Sequence, residues 1–276
     1  MSAFLDVTVL GSGSSGGVPR ADGDWGRCDP GEPRNRRSRC GLAVRLATAA
    51  AADSAAQTTV LVDLSPDFRT QAVACGLARI DHVLFSHDHA DQTHGIDDIR
   101  AFAYRQRSRI PCQSDAATGE TLLRRFGYVF EGEKGYPPIA TLTALPPLGT
   151  AFRLAGPSGA IPVVAYDQDH GDVRAVGYRF GDVAYSSDVV GLPDESLSRL
   201  EGLDVFIVDA LRYAPHPSHA HLELALQWIA ALKPRRAILT NLHIDMDYET
   251  LCRELPPGVE PAFDGLTIRS RLDQPT

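Results

Sequence analysis

A chain of 276 residues is long enough to bury a substantial core, and 43% hydrophobic with 22% charged residues is the balance of an ordinary globular protein. The net charge of −8 excludes broad, sequence-independent binding to nucleic acid, which needs a basic face, but leaves room for a small anionic substrate in a local pocket. The start of the chain has no basic segment followed by a long apolar one, and no apolar run reaches membrane-spanning length, so a cytoplasmic protein is expected. Cys28, Cys40, Cys75, Cys112 and Cys252 are scattered and odd in number, and read as reduced thiols.

Strands and helices alternate along the chain. Residues 6–10 (DVTVL) read as a strand running into a Gly/Ser loop, residues 11–17. Residues 21–39, rich in Gly, Pro, Asp and Arg, read as a long loop. Residues 42–46 and 59–62 read as strands, and the Ala-rich segment between them as a surface hairpin or flexible turn. Ser65 and Pro66 suit a helix N-cap and first position, with Gly76 as the stop. Residues 82–86 (HVLFS) form a short buried-strand pattern, and helices are expected over 96–106 and 120–126.

Further strands are expected over 161–166, 174–180, 183–186 and 205–208. Leu222, Ala225, Leu226, Ile229 and Leu232 form a helical stripe, with Ser218 as its cap and Pro234 beyond its end. A strand over 237–240 and a helix over 248–255 complete the reading. No fixed-period repeat or flexible linker divides the chain, so one domain over 1–276 is expected.

The chemistry concentrates after the 82–86 strand, in Ser86-His87-Asp88-His89-Ala90-Asp91-Gln92. Three candidate metal ligands, His87, His89 and Asp91, stand on alternate positions of one short turn, and imidazole with carboxylate suits zinc, manganese or iron. His170, Asp188 and His243 follow at later strand ends, where the same ligand types converge from separate loops. Taken singly, these three also fit a turn histidine, a helix cap and a core histidine.

The order of these residues, together with LGSGSSGGVPR, SHDHADQTHGID, YSSDV and LTNLHIDMDY, resembles the metallo-β-lactamase superfamily. Within it, the motifs are similar to the phosphoribosyl cyclic phosphate phosphodiesterases of phosphonate breakdown, and more distantly to tRNA 3′-processing endonucleases. The resemblance implies an α/β fold, a four-layer αββα sandwich with metals at the edge between the sheets. It implies one or two divalent ions, zinc or manganese: His87, His89 and His170 on the first, Asp91 and His243 on the second, and Asp188 between them. It also implies a metal-activated water attacking the phosphorus of a small cyclic phosphoribosyl or nucleotide-like substrate, with Asp91 orienting the nucleophile.

His219 is the candidate for assisting the leaving group, on the expectation that it lies in the first turn of the 222–232 helix. His216 and His221 are weaker candidates. The 11–17 loop fits either a phosphate cradle or a tight turn, and Arg34, Arg36, Arg37 and Arg39 fit either anion steering or a solvated face.

The sequence departs from the family pattern at Gln92, where a second-metal histidine is expected. Weak ligation by Gln92, a second metal held by Asp91, Asp188 and His243 alone, and a mononuclear site all remain open, with His94 as a further substitute. A structural zinc would need more than Cys28 and Cys40. Other hydrolases on the same fold (thioester, lactone, β-lactam or RNA-processing) and a ligand-binding module stand as alternatives, and a homodimer is compatible with the sequence.

Overall fold

The computed structural model describes residues 3–48 and 54–272. Fourteen strands among them form two seven-stranded sheets. The first sheet contains β1 (Ala3–Gly11), β2 (Gly41–Ala47), β3 (Thr58–Val62), β4 (His82–Leu84), β5 (Ile110–Ser114) and β6 (Ala140–Ala144). The second contains β7 (Ala151–Gly156), β8 (Gly159–His170), β9 (Val173–Phe180), β10 (Val183–Ser186), β11 (Val205–Asp209), β12 (Arg236–Thr240) and β13 (Val259–Pro261). The last strand, β14 (Thr267–Leu272), returns to pair with β1. The spatial orders are β14-β1-β2-β3-β4-β5-β6 and β13-β12-β11-β10-β9-β8-β7.

Alternation along the strands builds the layers. In β1 and β3, Leu5, Val7, Val9, Val60 and Val62 point between the sheets, where they meet Val163, Tyr178, Val205, Ile207 and Ile238. The intervening Leu61 and Ala43 face outward against α1 (Phe68–Ala74), α3 (Arg100–Gln106) and α4 (Ala116–Glu131), α2 (Ala90–Thr93) being the short helix of the metal-ligand turn. In β11, Phe206 and Val208 face the other way, onto α6 (Leu222–Leu232) and α7 (Tyr248–Glu254), which follow α5 (Asp194–Arg199). Helices cover both outer faces, so the expected αββα sandwich is the observed one.

Several local expectations are corrected. The helix expected from Ser65 starts at Phe68 with Asp67 as its cap, because Ser65 and Pro66 form a turn closed by Phe68 N–H on the Ser65 carbonyl at 2.9 Å. The strand expected over 82–86 stops at Leu84, after which Ser86 N–H turns to the Asp63 carboxylate. The helix expected over 96–106 opens as a 3₁₀ turn, Ile96–Ile99, before α3. The helix expected over 120–126 runs from Ala116 to Glu131, capped by Asp115, whose carboxylate accepts from the amides of Ala117 and Thr118. The Ala-rich connection joins two paired antiparallel strands, β2 and β3, and its residues 49–53 lie outside the described residues. No helix of the described residues is long and apolar enough to cross a membrane.

Parallel pairing joins β3 through β6 and β10 through β13. The carboxyl ends of β3, β4, β10, β11 and β12 deliver Asp63, His87, Asp188, Asp209 and Asn241 respectively, the edge at which open α/β sheets hold ligands.

Candidate metal centre

The turn after β4 is clamped between the two sheets. Tyr178 Oη donates to the Phe85 carbonyl at 2.7 Å, and Val176 N–H, on β9, donates to the Ser86 carbonyl at 2.9 Å. At its far end Gly95 passes so close to Ser65 that a Cβ would stand 2.0 Å from the Ser65 carbonyl oxygen, so only glycine fits. His87 and His89 thereby leave a rigid frame.

The imidazoles of His87, His89 and His170 converge, with ring centroids 4.5 to 5.1 Å apart and one nitrogen from each mutually within 4.8 Å. Each ring is aimed by its other neighbours. Ser86 Oγ stands 3.0 Å from His87 Nδ1 and donates to Asp63 Oδ2 at 2.8 Å, which leaves the hydroxyl oxygen to accept from Nδ1–H. His170 Nδ1 donates to the Ser218 carbonyl at 2.7 Å. Both bonds direct an Nε2 lone pair inward, as metal-bound histidines require. His87 Nε2 is buried with no hydrogen-bond partner, and His170 Nε2 faces His89 Nδ1 at 3.3 Å. A buried, unpartnered imidazole nitrogen beside two more ring nitrogens within 4.8 Å is costly unless a cation sits among them, so these residues fit a divalent ion.

Burial pushes the His87 imidazole down to about 4, against the attraction of Asp188, and burial likewise lowers His170. Both shifts favour the neutral imidazole, the form that can ligate a cation. Asp188 is fully buried at the end of β10, with φ of 54°, and one of its oxygens groups with His170 and His219 within 4.8 Å. Burial would raise its carboxyl, but His87, His219 and His170 hold it below the usual carboxylate range. Asp91 behaves oppositely: burial and the neighbouring Asp188 push it up to about 6.

Among the described residues, Asp91 and His243 fall in neither of these compact groups. Asp91 Oδ2 lies 3.5 Å from Gln92 Nε2. His243 Nδ1 faces Asp245 Oδ1 at 3.0 Å, and its Nε2 meets Arg20 Nη2 at 2.6 Å. Gln92 is fully buried, its Nε2 donating to Asp188 Oδ2 at 3.0 Å and its Oε1 without a partner. His94 turns away: its ring meets Phe126 edge-on, centroids 5.4 Å apart.

His219 stands beside the centre but not in a helix, which corrects the expectation. Ala220 and Leu222 use their amides on the carbonyls of Val189 and Arg212, and Ala220 accepts from Leu211 N–H. These bonds hold the segment extended, so α6 starts only at Leu222, with His221 rather than Ser218 in the cap position. His219 Nδ1 instead lies 2.8 Å from Asp209 Oδ2, with Asn241 Nδ2 at 3.2 Å, and its ring packs on His170 at 4.7 Å between centroids. Burial opposes its charge, but Asp209, Asp188 and Asp91 together raise the imidazole to about 9. His216 touches Ser218 through Nδ1 at 3.3 Å and packs on His219.

The 11–17 loop is a structural turn. The amides of Ser12, Gly13, Ser14 and Gly17 donate to Asp264 Oδ1 and to the carbonyls of Ser38, Leu242 and Ser14, so they are committed within the protein. The arginine cluster is also paired: Arg34 with Glu32 and Glu249, Arg39 with Asp67, and Arg36 over the Trp25 ring. Arg37 is buried rather than solvated.

Asp63, Asp209, Asn241 and Arg20 escaped the sequence reading. For Asp63 and Asp209 a signal existed, an acidic residue at the carboxyl end of an apolar strand, as for Asp188. Nothing local marks Arg20, which lies 223 residues from its partner His243.

This framework of two packed sheets, with histidines and carboxylates at one edge, defines the metallo-β-lactamase class of fold, a family of metal-dependent hydrolases. Residues 58–244 match the family model described as the beta-lactamase superfamily domain. A crystal structure of a diphosphatase from the PhnP family superimposes with a TM-score of 0.84 at 32% identity, covering 99% of each chain. The chain belongs to the metallo-β-lactamase superfamily, in its PhnP-like branch. An octanoyltransferase from Porphyromonas gingivalis (strain ATCC BAA-308 / W83) is 28% identical over 263 residues, 94% of this chain and 50% of that protein. The chain thus spans about half the length of that curated relative. Zn²⁺-bound PqqB from Methylobacterium extorquens shares the fold, with a TM-score of 0.70 at 17% identity over 95% of this chain and 99% of that one.

Proposed function

We propose that the protein is a metal-dependent phosphodiester hydrolase acting on a small phosphoribosyl or nucleotide-like substrate. The observation that carries this reading is the convergence of three imidazole nitrogens, one of them buried without a partner, beside the Asp188 carboxylate. His87, His89, His170 and Asp188 would hold a divalent ion, zinc or manganese. Such an ion, when bound, lowers the pKa of water and neutralises charge on a phosphoryl oxygen.

The chain's own groups supply the rest. Asp63 and Ser86 fix the His87 tautomer, and the Ser218 carbonyl fixes that of His170. Asp91, drawn toward the neutral carboxyl by burial and Asp188, is the candidate for taking a proton from the attacking water. His219, oriented by Asp209 through Nδ1, keeps Nε2 for a proton or a positive contact to the departing oxygen.

A second reading is cleavage of a phosphoanhydride in a substituted diphosphate. It is favoured by the 32% identity, over 99% of both chains, to a protein described as a diphosphatase. Both readings need attack on phosphorus, and they differ in the leaving group. The octanoyltransferase likeness supports no acyl transfer here, because this chain spans only half of that protein.

The test is turnover of bis(p-nitrophenyl) phosphate and of a dinucleoside diphosphate with added Mn²⁺ or Zn²⁺, beside nitrocefin and a thioester. Phosphorus substrates should be cleaved, and His87→Ala should abolish the activity. Turnover confined to the β-lactam or thioester would overturn the phosphodiester reading. Bound metal without any turnover would leave only a binding module.

A further inference from the structure

We propose that the centre holds a single divalent cation, because Gln92 and Arg20 occupy with N–H donors the lone pairs a second cation would need. This rests on the metal-centre reading above and concerns how many ions the same edge can take. A bridging carboxylate must offer one oxygen to each metal. Asp188 Oδ2 already accepts from Gln92 Nε2 at 3.0 Å and from the Ser187 hydroxyl, which fills the two lone-pair directions of that oxygen. Asp188 Oδ1 carries only long contacts, Asn241 Nδ2 at 3.4 Å and His219 Nδ1 at 3.9 Å, and is the oxygen left for one ion.

The orientation of the Gln92 amide follows from its neighbours. A flipped amide would set Oε1 against the carboxylates of both Asp188 and Asp91, acceptor facing acceptor. Imidazole at this position could turn a lone pair to a metal, whereas the amide nitrogen has none to give.

His243 is closed in the same way. Its Nδ1–H faces Asp245 Oδ1 at 3.0 Å, so Nε2 carries the one available lone pair. That lone pair is taken by Arg20 Nη2 at 2.6 Å. A guanidinium is a cation with donors and no lone pair, so it both blocks the nitrogen and repels a second cation. The Arg20 stem is seated beside Gly16, where an added Cβ would stand 3.6 Å from Arg20 Cγ. A permanent cation and an amide donor thus stand where a second metal would otherwise offset the charges of Asp91 and Asp188.

Metal content decides this without reference to activity. Protein loaded with excess Mn²⁺ or Zn²⁺ and passed through gel filtration should carry about one ion per chain by elemental analysis. Gln92→His combined with Arg20→Ala should carry about two, and Mn²⁺ in that variant should give the coupled-pair electron paramagnetic resonance spectrum that the parent lacks. Two ions per chain in the parent would overturn the proposal while leaving the metal centre intact. One ion in both parent and a folded double variant would overturn the assignment to Gln92 and Arg20. No ion in the parent would sink the metal-centre reading itself.

Discussion

Replacing Ser86 by alanine tests whether the groups behind the ligands set the metal affinity. The Ser86 hydroxyl is 2% exposed as a residue and joins two partners, donating to Asp63 Oδ2 at 2.8 Å and facing His87 Nδ1 at 3.0 Å. Without it His87 loses the contact that keeps the proton on Nδ1, and Nε2 is no longer the preferred lone pair. Asp63 keeps its backbone bond from Ser86 N–H at 2.8 Å, so the turn should hold its shape. Losing such a supporting bond typically weakens metal binding roughly 10- to 100-fold. That corresponds to about 1.4–2.7 kcal/mol. The assay is competition with a fluorescent Zn²⁺ chelator, with circular dichroism to confirm folding. His170 serves as an internal contrast, since its support is the Ser218 main-chain carbonyl, beyond the reach of side-chain substitution. A dissociation constant within about twofold of the parent, in a folded variant, would refute the idea that Ser86 poises His87.

In the metal-free protein, His87 and His219 should make opposite contributions to the pH dependence of stability. His87 has a folded pKa of about 4 against an ordinary 6.5, so the unfolded chain binds the extra proton, and stability falls as pH drops from 6.5 toward 4, by up to roughly 3 kcal/mol. His219, raised to about 9, acts in the opposite sense: its contribution is full below 6.5 and is lost as pH rises through 9. Parent-minus-variant urea midpoints that stay constant over pH 4–6.5 for His87→Ala, or over pH 6.5–9 for His219→Ala, would contradict this pairing. His219→Gln should slow a phosphodiester with an alkoxide leaving group by roughly 10²- to 10⁴-fold in kcat, yet affect a p-nitrophenyl ester far less. Equal losses on both substrates would argue for a positioning role instead. Phe206→Ala, at a fully buried site between β11 and the outer helices, should cost about 3–5 kcal/mol and lower the melting temperature while sparing metal content in the folded protein. A melting temperature within about 2 °C of the parent would show that this layer is not packed as described.

The alternation of residues 6–10 in β1, the short apolar runs of β3 and β11 and the His-x-His-x-Asp string were readable because they are local: burial geometry fixes the strands, and one short turn carries the ligand string. The strands at Ile110–Ser114, Ala140–Ala144 and Thr267–Leu272 were not readable. The last alternates exposed threonine and arginine with buried Ile268, Ser270 and Leu272, and pairs with β1, more than 260 residues away in sequence for Ala3 and Leu272. Such edge strands are specified by their partner rather than by their own composition.

His219 shows the same division. Ser218 before an apolar stripe is a sound helix signal, but Val189, Leu211 and Arg212 claim the backbone around Ala220 and keep it extended. The sequence by itself determined which residue types could bind a cation, since ligand chemistry belongs to the residues themselves, and the resemblance of its motifs to a known superfamily carried the fold class. Only the tertiary structure decided which lone pairs remain free, because Gln92 on Asp188 and Arg20 on His243 are contacts between segments that nothing in the linear order brings together.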